Sequence, residues 1–305
     1  MKLLEGRVVI VTGGGRGLGR QHCLELASHG AAVVVNDIGA GLHGEDTGIS
    51  PAAEVVAAIE DAGGLASTDG TSVTDFAAVG DLVAKTVATY GRLDAVVNNA
   101  GIVRDRMITG MSEEDFDLVL GVHLKGAWTL TRHACAHWRE VAKAGDAVSG
   151  RIVNTTSGAG LFGNVGQSNY GPAKAAIASL TLITAMEMDR YGVTANAISP
   201  LARTRMTESL PSMQRGDGDG WDRYDPANTS PVVAYLCSEA SGWLSGAVLR
   251  IDGDTVQRLR PWDIDPAVTY RGTQDAPVRA TELDRGLRVA FGAFPSGLPS
   301  TSIGS

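Results

Sequence analysis

The chain has 305 residues, of which 44% are apolar and 20% charged, so it has the composition of an ordinary globular protein with a substantial core. Its 34 acidic residues outnumber 26 basic ones, which gives a formal net charge of −8. This balance argues against nucleic acid or an anionic membrane as a partner.

Compartment can also be inferred from composition. No run of about 18 apolar residues is present, and the first residues lead straight into an apolar strand, so we expect neither a membrane span nor a signal peptide. The cysteines, Cys23, Cys135 and Cys237, are odd in number and widely spaced. They favour free thiols in a reducing compartment, and we therefore expect a cytoplasmic protein.

Strand-like and helix-like segments alternate along residues 1–255. Strands are predicted at 7–11, 31–36, 65–68, 93–98, 151–155, 194–199 and 247–252. Helices are predicted at 17–29, 51–62, 74–90, 112–144, 171–191 and 230–238. Repeated βα units of this length predict one doubly wound α/β domain of the Rossmann type, with a central parallel sheet and helices on both faces. Residues 256–305 lie outside the pattern and are expected to form a partly irregular C-terminal extension, with one short helix at 281–291.

A glycine-rich turn follows the first strand and opens the first helix: Thr12-Gly13-Gly14-Gly15-Arg16-Gly17-Leu18-Gly19. Glycine lets the backbone turn tightly and approach a pyrophosphate, whose charge the N-terminus of a helix stabilises. We expect Gly13, Arg16, Gly17 and Leu18 to bind a dinucleotide. A glycine turn without a ligand is the alternative.

Asp37 ends the second predicted strand, about twenty residues after the glycines. A carboxylate there can accept hydrogen bonds from an adenosine ribose and would repel a 2′-phosphate, whereas Arg16 could meet a 2′-phosphate. Because Asp37 would occupy the ribose position directly, the sequence favours NAD over NADP.

Three residues in the second half of the chain suit proton transfer. Tyr170 and Lys174 are four residues apart on one face of a predicted helix, and Ser157 precedes the tyrosine by thirteen. A phenol has an ordinary pKa near ~10, so it needs a nearby cation to act as a base near neutrality, and Lys174 is expected to lower its pKa. Ser157 would orient and polarise a substrate oxygen. Each of these residues alone is common by chance. Together with the glycine-rich turn, referred to below as the cradle, they predict hydride transfer between a secondary alcohol and a ketone.

These motifs, together with Asn98-Asn99-Ala100-Gly101, resemble the short-chain dehydrogenase/reductase family over nearly all of residues 1–255. The resemblance implies that Ser72 and Val73 contact adenine and that Asn99 lies under the cofactor. It also implies that Thr204 approaches the nicotinamide amide and that Lys174 hydrogen-bonds the nicotinamide ribose.

A narrower resemblance is carried by residues 33–39, 98–106, 122–126 and 203–208. These segments look like the hydroxyacyl-CoA dehydrogenase module of peroxisomal multifunctional enzymes, whose bacterial relatives act on acyl-CoA thioesters, including those of steroid side chains. The resemblance implies a 3-hydroxyacyl-CoA or steroid-type substrate. Many family members carry Asn where His123 stands, as the fourth member of a proton-relay set. His123 either holds the same water as a catalytic residue or braces the long helix.

The substrate is expected to be a small molecule with a largely apolar portion, such as a steroid or the acyl chain of a CoA thioester. Residues 201–224 would cover the pocket as a lid, contributing Met206, Leu210, Met213 and Trp221. His133 and His137 have a spacing that can hold zinc, but no further ligand cluster is evident, so we expect no metal. A homo-oligomer, either a dimer or a tetramer, is expected, with the C-terminal extension at a neighbouring subunit's pocket or at the interface.

Two other functions stay open at this point. One is an NADP-dependent 3-oxoacyl thioester reductase, against which Asp37 argues. The other is a nucleotide-binding sensor without catalysis, against which the presence of Ser157, Tyr170 and Lys174 together argues.

Overall fold

The apolar runs of the sequence form a single sheet. A computed structural model describes residues 2–39, 50–203 and 220–260, together with the helical residues Leu283, Leu287 and Val289. Within these residues the strands are β1 Val8–Thr12, β2 Ala32–Asn36, β3 Leu65–Asp69, β4 Ala95–Asn98, β5 Arg151–Thr155, β6 Thr194–Leu201, β7 Val248–Asp252 and β8 Thr255–Leu259.

The strand order places a crevice at the middle of the sheet. The order is β3-β2-β1-β4-β5-β6-β7-β8, with β1 to β7 parallel and β8 antiparallel to β7. The chain winds outward from β1 to β3 and then returns to continue from β4 on the other side. Ligands of such sheets bind beyond the carboxyl ends of the strands, where the winding direction changes.

Helices cover both faces of the sheet because strand residues alternate between them. The helices are α1 Gly17–Ser28, α2 Pro51–Asp61, α3 Phe76–Tyr90, α4 Glu113–Leu120, α5 Gly126–Lys143, α6 Gly158–Phe162, α7 Tyr170–Met188 and α8 Ser230–Leu236. Val9 and Val11 pack in one core with α1, α2 and α8. Ile10, between them, packs in the other core with α3, α5 and α7. This architecture confirms the predicted doubly wound α/β domain.

The predicted helix over 112–144 is interrupted, which corrects the sequence interpretation. The first part, α4, begins where the predicted helix does, with Ser112 as its N-cap accepting the Asp115 N–H at 3.1 Å. A π-turn at Gly121–Lys125 then inserts an extra residue before α5 begins. Such turns are rare and often occur at functional sites, and the helical pattern of apolar residues gives no sign of this one.

Strand β8 is a second feature that the sequence did not predict. Its first four residues are exposed, so it lacks the apolar alternation that marks a half-buried strand. Pairing with β7 extends the sheet to Leu259, past the expected end of the domain at 255, and residues up to Leu259 belong to one compact unit. We therefore propose that the C-terminal extension begins after Leu259. The described residues include no helix that is long and apolar enough to cross a bilayer.

Candidate active site

The turn between β1 and α1 has a shape that only glycine permits. Gly13 has a φ of +63°, and a Cβ on it would lie 2.9 Å from the Cα of Ala100. A Cβ on Gly19 would overlap the carbonyl oxygen of Gly13. The N-cap residue of α1, Arg16, makes no side-chain hydrogen bond to the first turn of the helix, whose N–H groups point toward the turn. The predicted dinucleotide cradle therefore fits a pyrophosphate, with Gly17 and Leu18 in the first turn of the helix.

Thr12 and Asn99 join the cradle to the end of β4. The Thr12 hydroxyl accepts the N–H groups of Asn99 at 3.0 Å and Ala100 at 3.1 Å. The Asn99 side-chain amide donates to the carbonyls of Thr12 at 3.0 Å and Gly13 at 3.1 Å. Asn99 thus holds the floor of the crevice next to the glycines.

Asp37 lies beside the cradle at the end of β2. Its carboxylate accepts the Gly15 N–H at 2.9 Å and the Gly39 N–H at 2.8 Å. Each carboxylate oxygen has a second acceptor site, so these bonds orient the group without exhausting it. Arg16, at the N-cap of α1, is half-buried. A fixed negative charge is thus the feature that a ligand would meet at this edge.

Ser72 and Val73 lie in the turn that follows β3. The Ser72 hydroxyl lies 2.8 Å from that of Thr74, and Val73 is buried against the N-terminal end of α5. Thr204 and the apolar residues Met206, Leu210 and Met213 lie outside the described residues. Trp221 is 64% exposed.

Tyr170 begins α7 and is positioned by the residue before it. Asn169 is fully buried, and its side-chain oxygen accepts the Tyr170 N–H at 2.7 Å. Its amide nitrogen donates to the carbonyl of Arg104 at 2.9 Å, which ties the helix to the segment after β4. Sequence reasoning missed Asn169, although Asn directly before a helix is a recognised capping signal.

Ser157, Tyr170 and Lys174 come together at the crevice. Ser157 follows β5, and its hydroxyl accepts the Ala159 N–H at 3.2 Å. The same side chain acts on the nearby Tyr170 phenol, whose pKa it lowers. The Lys174 ammonium lies 5.5 Å from the centre of the Tyr170 ring. It donates to the carbonyl of Thr155 at 2.6 Å. Two elements that are remote in sequence, the end of β5 and the start of α7, thus form one cluster.

The electrostatics of the cluster differ from the sequence prediction. Burial raises the pKa of Tyr170 above its ordinary value, and the Ser157 hydrogen bond opposes this only in part. Burial also lowers the pKa of Lys174 to about 7. In the protein alone, burial therefore outweighs the lowering of the Tyr170 pKa that was expected from Lys174, and the ammonium is itself desolvated and loses charge near neutrality.

His123 occupies the π-turn and is 2% exposed. Its Nε2 lies 2.8 Å from the carbonyl oxygen and 3.1 Å from the nitrogen of Ile102. Its ring meets the ring of Tyr170 edge-on, with 5.1 Å between centroids. Burial, helped by the Lys174 charge, holds the pKa of His123 well below its ordinary value, so the imidazole is neutral. Gly101 is required beside it, because a Cβ there would overlap the ring.

A small cavity lies between His123 and Lys174. The buried Nδ1 of His123 has no hydrogen-bond partner among the described residues. The cavity has a volume of about 10 Å³, close to the minimum that holds one water molecule. Its lining includes Thr12, Asn98, Ala100, His123 and Lys174.

Two other residues singled out in the sequence make ordinary contacts. Arg203 forms a two-bond ion pair with Asp222, at 2.7 and 3.1 Å. His133 lies 2.9 Å from the carbonyl of Phe76. In the ranges that the structure describes, no group of three or more His, Cys, Asp or Glu is arranged to hold a metal ion.

A doubly wound sheet with a glycine cradle and a Ser–Tyr–Lys cluster defines a dehydrogenase of the short-chain class. A family model for short chain dehydrogenases matches residues 7–215, and the chain belongs to this family.

Comparison with individual relatives points to one subgroup of this family. The chain is 42% identical to the hydroxyacyl-CoA dehydrogenase ChsB1 of Mycobacterium tuberculosis, covering 94% of this chain and 89% of that one. It is 38% identical to the peroxisomal multifunctional enzyme type 2 of Drosophila melanogaster, covering 96% of this chain but 48% of that enzyme. The crystal structure of a short chain dehydrogenase from Mycobacterium avium superposes with a TM-score of 0.84 at 48% identity, covering 95% and 96% of the two chains. These matches confirm the resemblance to hydroxyacyl-CoA dehydrogenases that the sequence motifs indicated.

Proposed function

We propose that the protein is an NAD-dependent dehydrogenase that interconverts 3-hydroxyacyl-CoA and 3-oxoacyl-CoA thioesters. The observation that carries the reaction type is the cluster of Ser157, Tyr170 and Lys174, in which Ser157 lowers the pKa of the phenol and the Lys174 ammonium lies 5.5 Å from the centre of its ring. The substrate class is supported by 42% identity to a hydroxyacyl-CoA dehydrogenase over nearly the whole chain.

Ser157 and Tyr170 handle the proton of the substrate hydroxyl in this proposal. The Ser157 hydroxyl donates to the substrate oxygen and holds it against the phenol. Tyr170, as the phenolate that nearby positive charge would stabilise, takes the hydroxyl proton and becomes the neutral phenol, while the carbinol carbon loses a hydride and a ketone remains. Bound NAD supplies the hydride acceptor and a positively charged ring. Reduction of the ketone runs through the same contacts, with Tyr170 returning the proton.

Lys174 and His123 support the proton transfer. Lys174 would hydrogen-bond the nicotinamide ribose, and its protonated form would place positive charge beside Tyr170. His123 is neutral, and in the tautomer whose Nε2–H donates to the Ile102 carbonyl its unpartnered Nδ1 can accept a hydrogen bond from a water in the cavity that Lys174 also lines. We therefore favour a relay role for His123 over a purely bracing role.

The cofactor contacts follow from the cradle. Gly13, Arg16, Gly17 and Leu18 would bind the pyrophosphate, and Asn99 would lie under the nicotinamide half. Adenine contacts are proposed for Ser72 and Val73, a ribose contact for Asp37 and a nicotinamide contact for Thr204. NAD is favoured over NADP because the Asp37 carboxylate, oriented by Gly15 and Gly39, would repel a 2′-phosphate. We further propose that the enzyme works in the cytoplasm as a homo-oligomer.

An NADP-dependent 3-oxoacyl thioester reductase is the second candidate. The observation in its favour is Arg16, which is half-buried at the N-cap of α1, on the same turn that Asp37 contacts. The two candidates differ in which dinucleotide binds more tightly.

The test is a substrate and cofactor screen that follows absorbance of the reduced nicotinamide. We expect the highest kcat/KM with a 3-hydroxyacyl-CoA and NAD, compared with a hydroxysteroid, a simple secondary alcohol, and NADP. In the Tyr170→Phe variant we expect turnover to fall roughly 10²–10⁴-fold with NAD affinity unchanged, because only the proton acceptor is lost. Tyr90→Phe, a half-buried tyrosine on α3, is the control. Near-normal turnover of Tyr170→Phe would contradict the mechanism, and a preference for NADP would favour the second candidate.

A further inference from the structure

The segment that follows β4 holds a carboxylate beside the catalytic cluster. The Arg106 N–H donates to the Gly166 carbonyl at 2.8 Å, so this segment pairs with the chain that leads into α7. In the same pairing the Asp105 carboxylate accepts the side-chain amide of Gln167 at 2.9 Å. Gln167 lies three residues before Tyr170. Asp105 is therefore fixed next to the start of the catalytic helix.

The Asp105 carboxylate forms no ion pair with any residue that the structure describes, because the arginines on either side of it are engaged elsewhere. Arg104 forms an ion pair with Asp115 at 3.1 Å. Arg106 donates to the backbone carbonyl of Asp105 at 2.9 Å, rather than to its side chain. The Gln167 amide, which does bind the carboxylate, is neutral. Asp105 thus presents a negative charge that no nearby cation neutralises.

This charge acts on the group that transfers the proton. Burial raises the pKa of the Tyr170 phenol, and the Asp105 carboxylate adds to this effect because a nearby anion disfavours the phenolate. A substrate that brought a second carboxylate to the phenol would be repelled for the same reason.

We propose that Asp105 is a specificity-determining residue that excludes free carboxylic acids from the site and thereby selects neutral thioesters. The proposal rests on the proposed oxidation of 3-hydroxyacyl thioesters. In a free 3-hydroxy acid, one methylene separates the carboxylate from the carbinol carbon. Binding of the hydroxyl between Ser157 and Tyr170 would therefore bring that negative charge into the field of Asp105. The carbonyl of a thioester takes the same position without charge and meets no repulsion.

Charge is the feature by which the site can make this distinction. Hydrolysis of a thioester leaves a free acid with the same acyl chain, so apolar contacts to that chain bind both molecules alike. A like charge placed against the unwanted molecule is an effective means of rejecting it.

A 3-hydroxy acid and its methyl ester test the proposal, since they share the acyl chain and differ in charge. With NAD as cofactor, we expect the wild-type kcat/KM to favour the ester by roughly tenfold or more. About 1 M salt should reduce this preference, because it screens exposed charges. In Asp105→Asn we expect kcat/KM for the acid to rise roughly tenfold and that for the ester to change less than about threefold. The asparagine amide can still accept the Gln167 hydrogen bond, so only the charge is lost.

Two variants serve as controls. Asp117→Asn removes the same charge from the exposed surface of α4 and should leave the ratio of the two kcat/KM values unchanged. Gln167→Leu removes the hydrogen bond but keeps the Asp105 charge, so the ester should remain preferred.

Three results would overturn the proposal: a wild type that oxidises the acid as well as the ester, an Asp105→Asn variant with the wild-type ratio, or a Gln167→Leu variant that loses the preference as fully as Asp105→Asn does. If any of them is found in an enzyme that oxidises a 3-hydroxyacyl-CoA, this inference alone is wrong. An enzyme that oxidises neither the CoA thioester nor the ester contradicts the proposed function as well.

Discussion

At the scale of single residues, Lys174 is buried in the site although its burial destabilises the folded protein. Lys174 is 3% exposed, and its carbonyl partner, Thr155, supplies no opposite charge. Burying an ammonium without a counter-ion is costly, and the lowering of its pKa to about 7 expresses that cost. A group that destabilises the free protein and sits beside the phenol is the pattern expected of a catalytic centre.

The stability of a Lys174→Met variant should therefore depend on pH in a defined direction. The folded state binds the Lys174 proton more weakly than the unfolded state, so the burial penalty is complete below pH 7 and disappears as pH rises toward 10.5, the ordinary value. At pH 6 we expect the variant to be more stable than the wild type by about 1–4 kcal/mol, with a smaller difference at pH 9. Urea unfolding at both values measures this. A wild type that is more stable than the variant at pH 6 would contradict it.

At the scale of elements, two backbone features build the site. The glycine turn brings α1 against β1 and β4, and the π-turn between α4 and α5 places His123 against Tyr170. The first feature has a strong sequence signature, because only glycine tolerates the contacts at Gly13 and Gly19. The second has none, because one extra residue in a helix changes few local preferences.

Gly19→Ala tests the cradle as an element. Alanine has the better helix propensity, by up to about 1 kcal/mol, but its Cβ would overlap the Gly13 carbonyl and lie 2.6 Å from the Asn99 amide. We expect a net loss of about 1–3 kcal/mol in unfolding free energy and at least roughly tenfold weaker NAD binding, since the turn must move. Thermal unfolding and NAD titration measure both effects.

Gly70→Ala is the matched control, because a Cβ at Gly70 meets no atom within 4 Å. Wild-type NAD affinity in Gly19→Ala would show that the cradle tolerates a side chain after all.

At the scale of the whole molecule, a buried polar chain links the sheet to two helices under the crevice. The Asn98 amide on β4 donates to the Asn154 side chain on β5 at 2.8 Å and to Thr131 on α5 at 3.0 Å. Asn154 donates in turn to Thr181 on α7 at 2.9 Å. Because α7 carries Tyr170 and Lys174, this chain sets the position of the catalytic helix relative to the strands.

Asn154→Leu should break the chain with little change in side-chain volume. It leaves a buried Asn98 N–H without its acceptor, and we expect a loss of about 1–3 kcal/mol in unfolding free energy. Asn164→Leu, on an exposed loop, should change stability by no more than about 0.5 kcal/mol. Urea unfolding of the two variants distinguishes these outcomes. If Asn154→Leu and the wild type unfolded at the same urea concentration, the hydrogen bonds of Asn154 would contribute nothing to the free energy of unfolding.

The elements that were predicted correctly depend mostly on interactions between residues that are close in the sequence. The strands β1 and β2 and the helix α1 begin and end within one or two residues of prediction, because periodic apolar patterns and glycine turns act through neighbouring residues. The edge strand β8 escaped prediction, since its ladder depends on β7 rather than on its own pattern. Asn154 was missed for a similar reason, because its partner Thr181 is distant in the sequence. Asn169 did carry a local capping signal, but its bond to the Arg104 carbonyl, which ties α7 to the segment after β4, joins residues that are far apart in the chain.

The order of residues alone is enough to specify the class of chemistry. A glycine cradle, Asp37, and Tyr170 four residues before Lys174 point to nicotinamide-linked hydride transfer, because backbone sterics and helical spacing require those residue types. The tertiary structure decided the electrostatics: it joined Ser157 to Tyr170, lowered the pKa of Lys174 to about 7 and made His123 neutral. These properties arise from desolvation, which depends on how tightly distant segments pack and cannot be read from the order of residues.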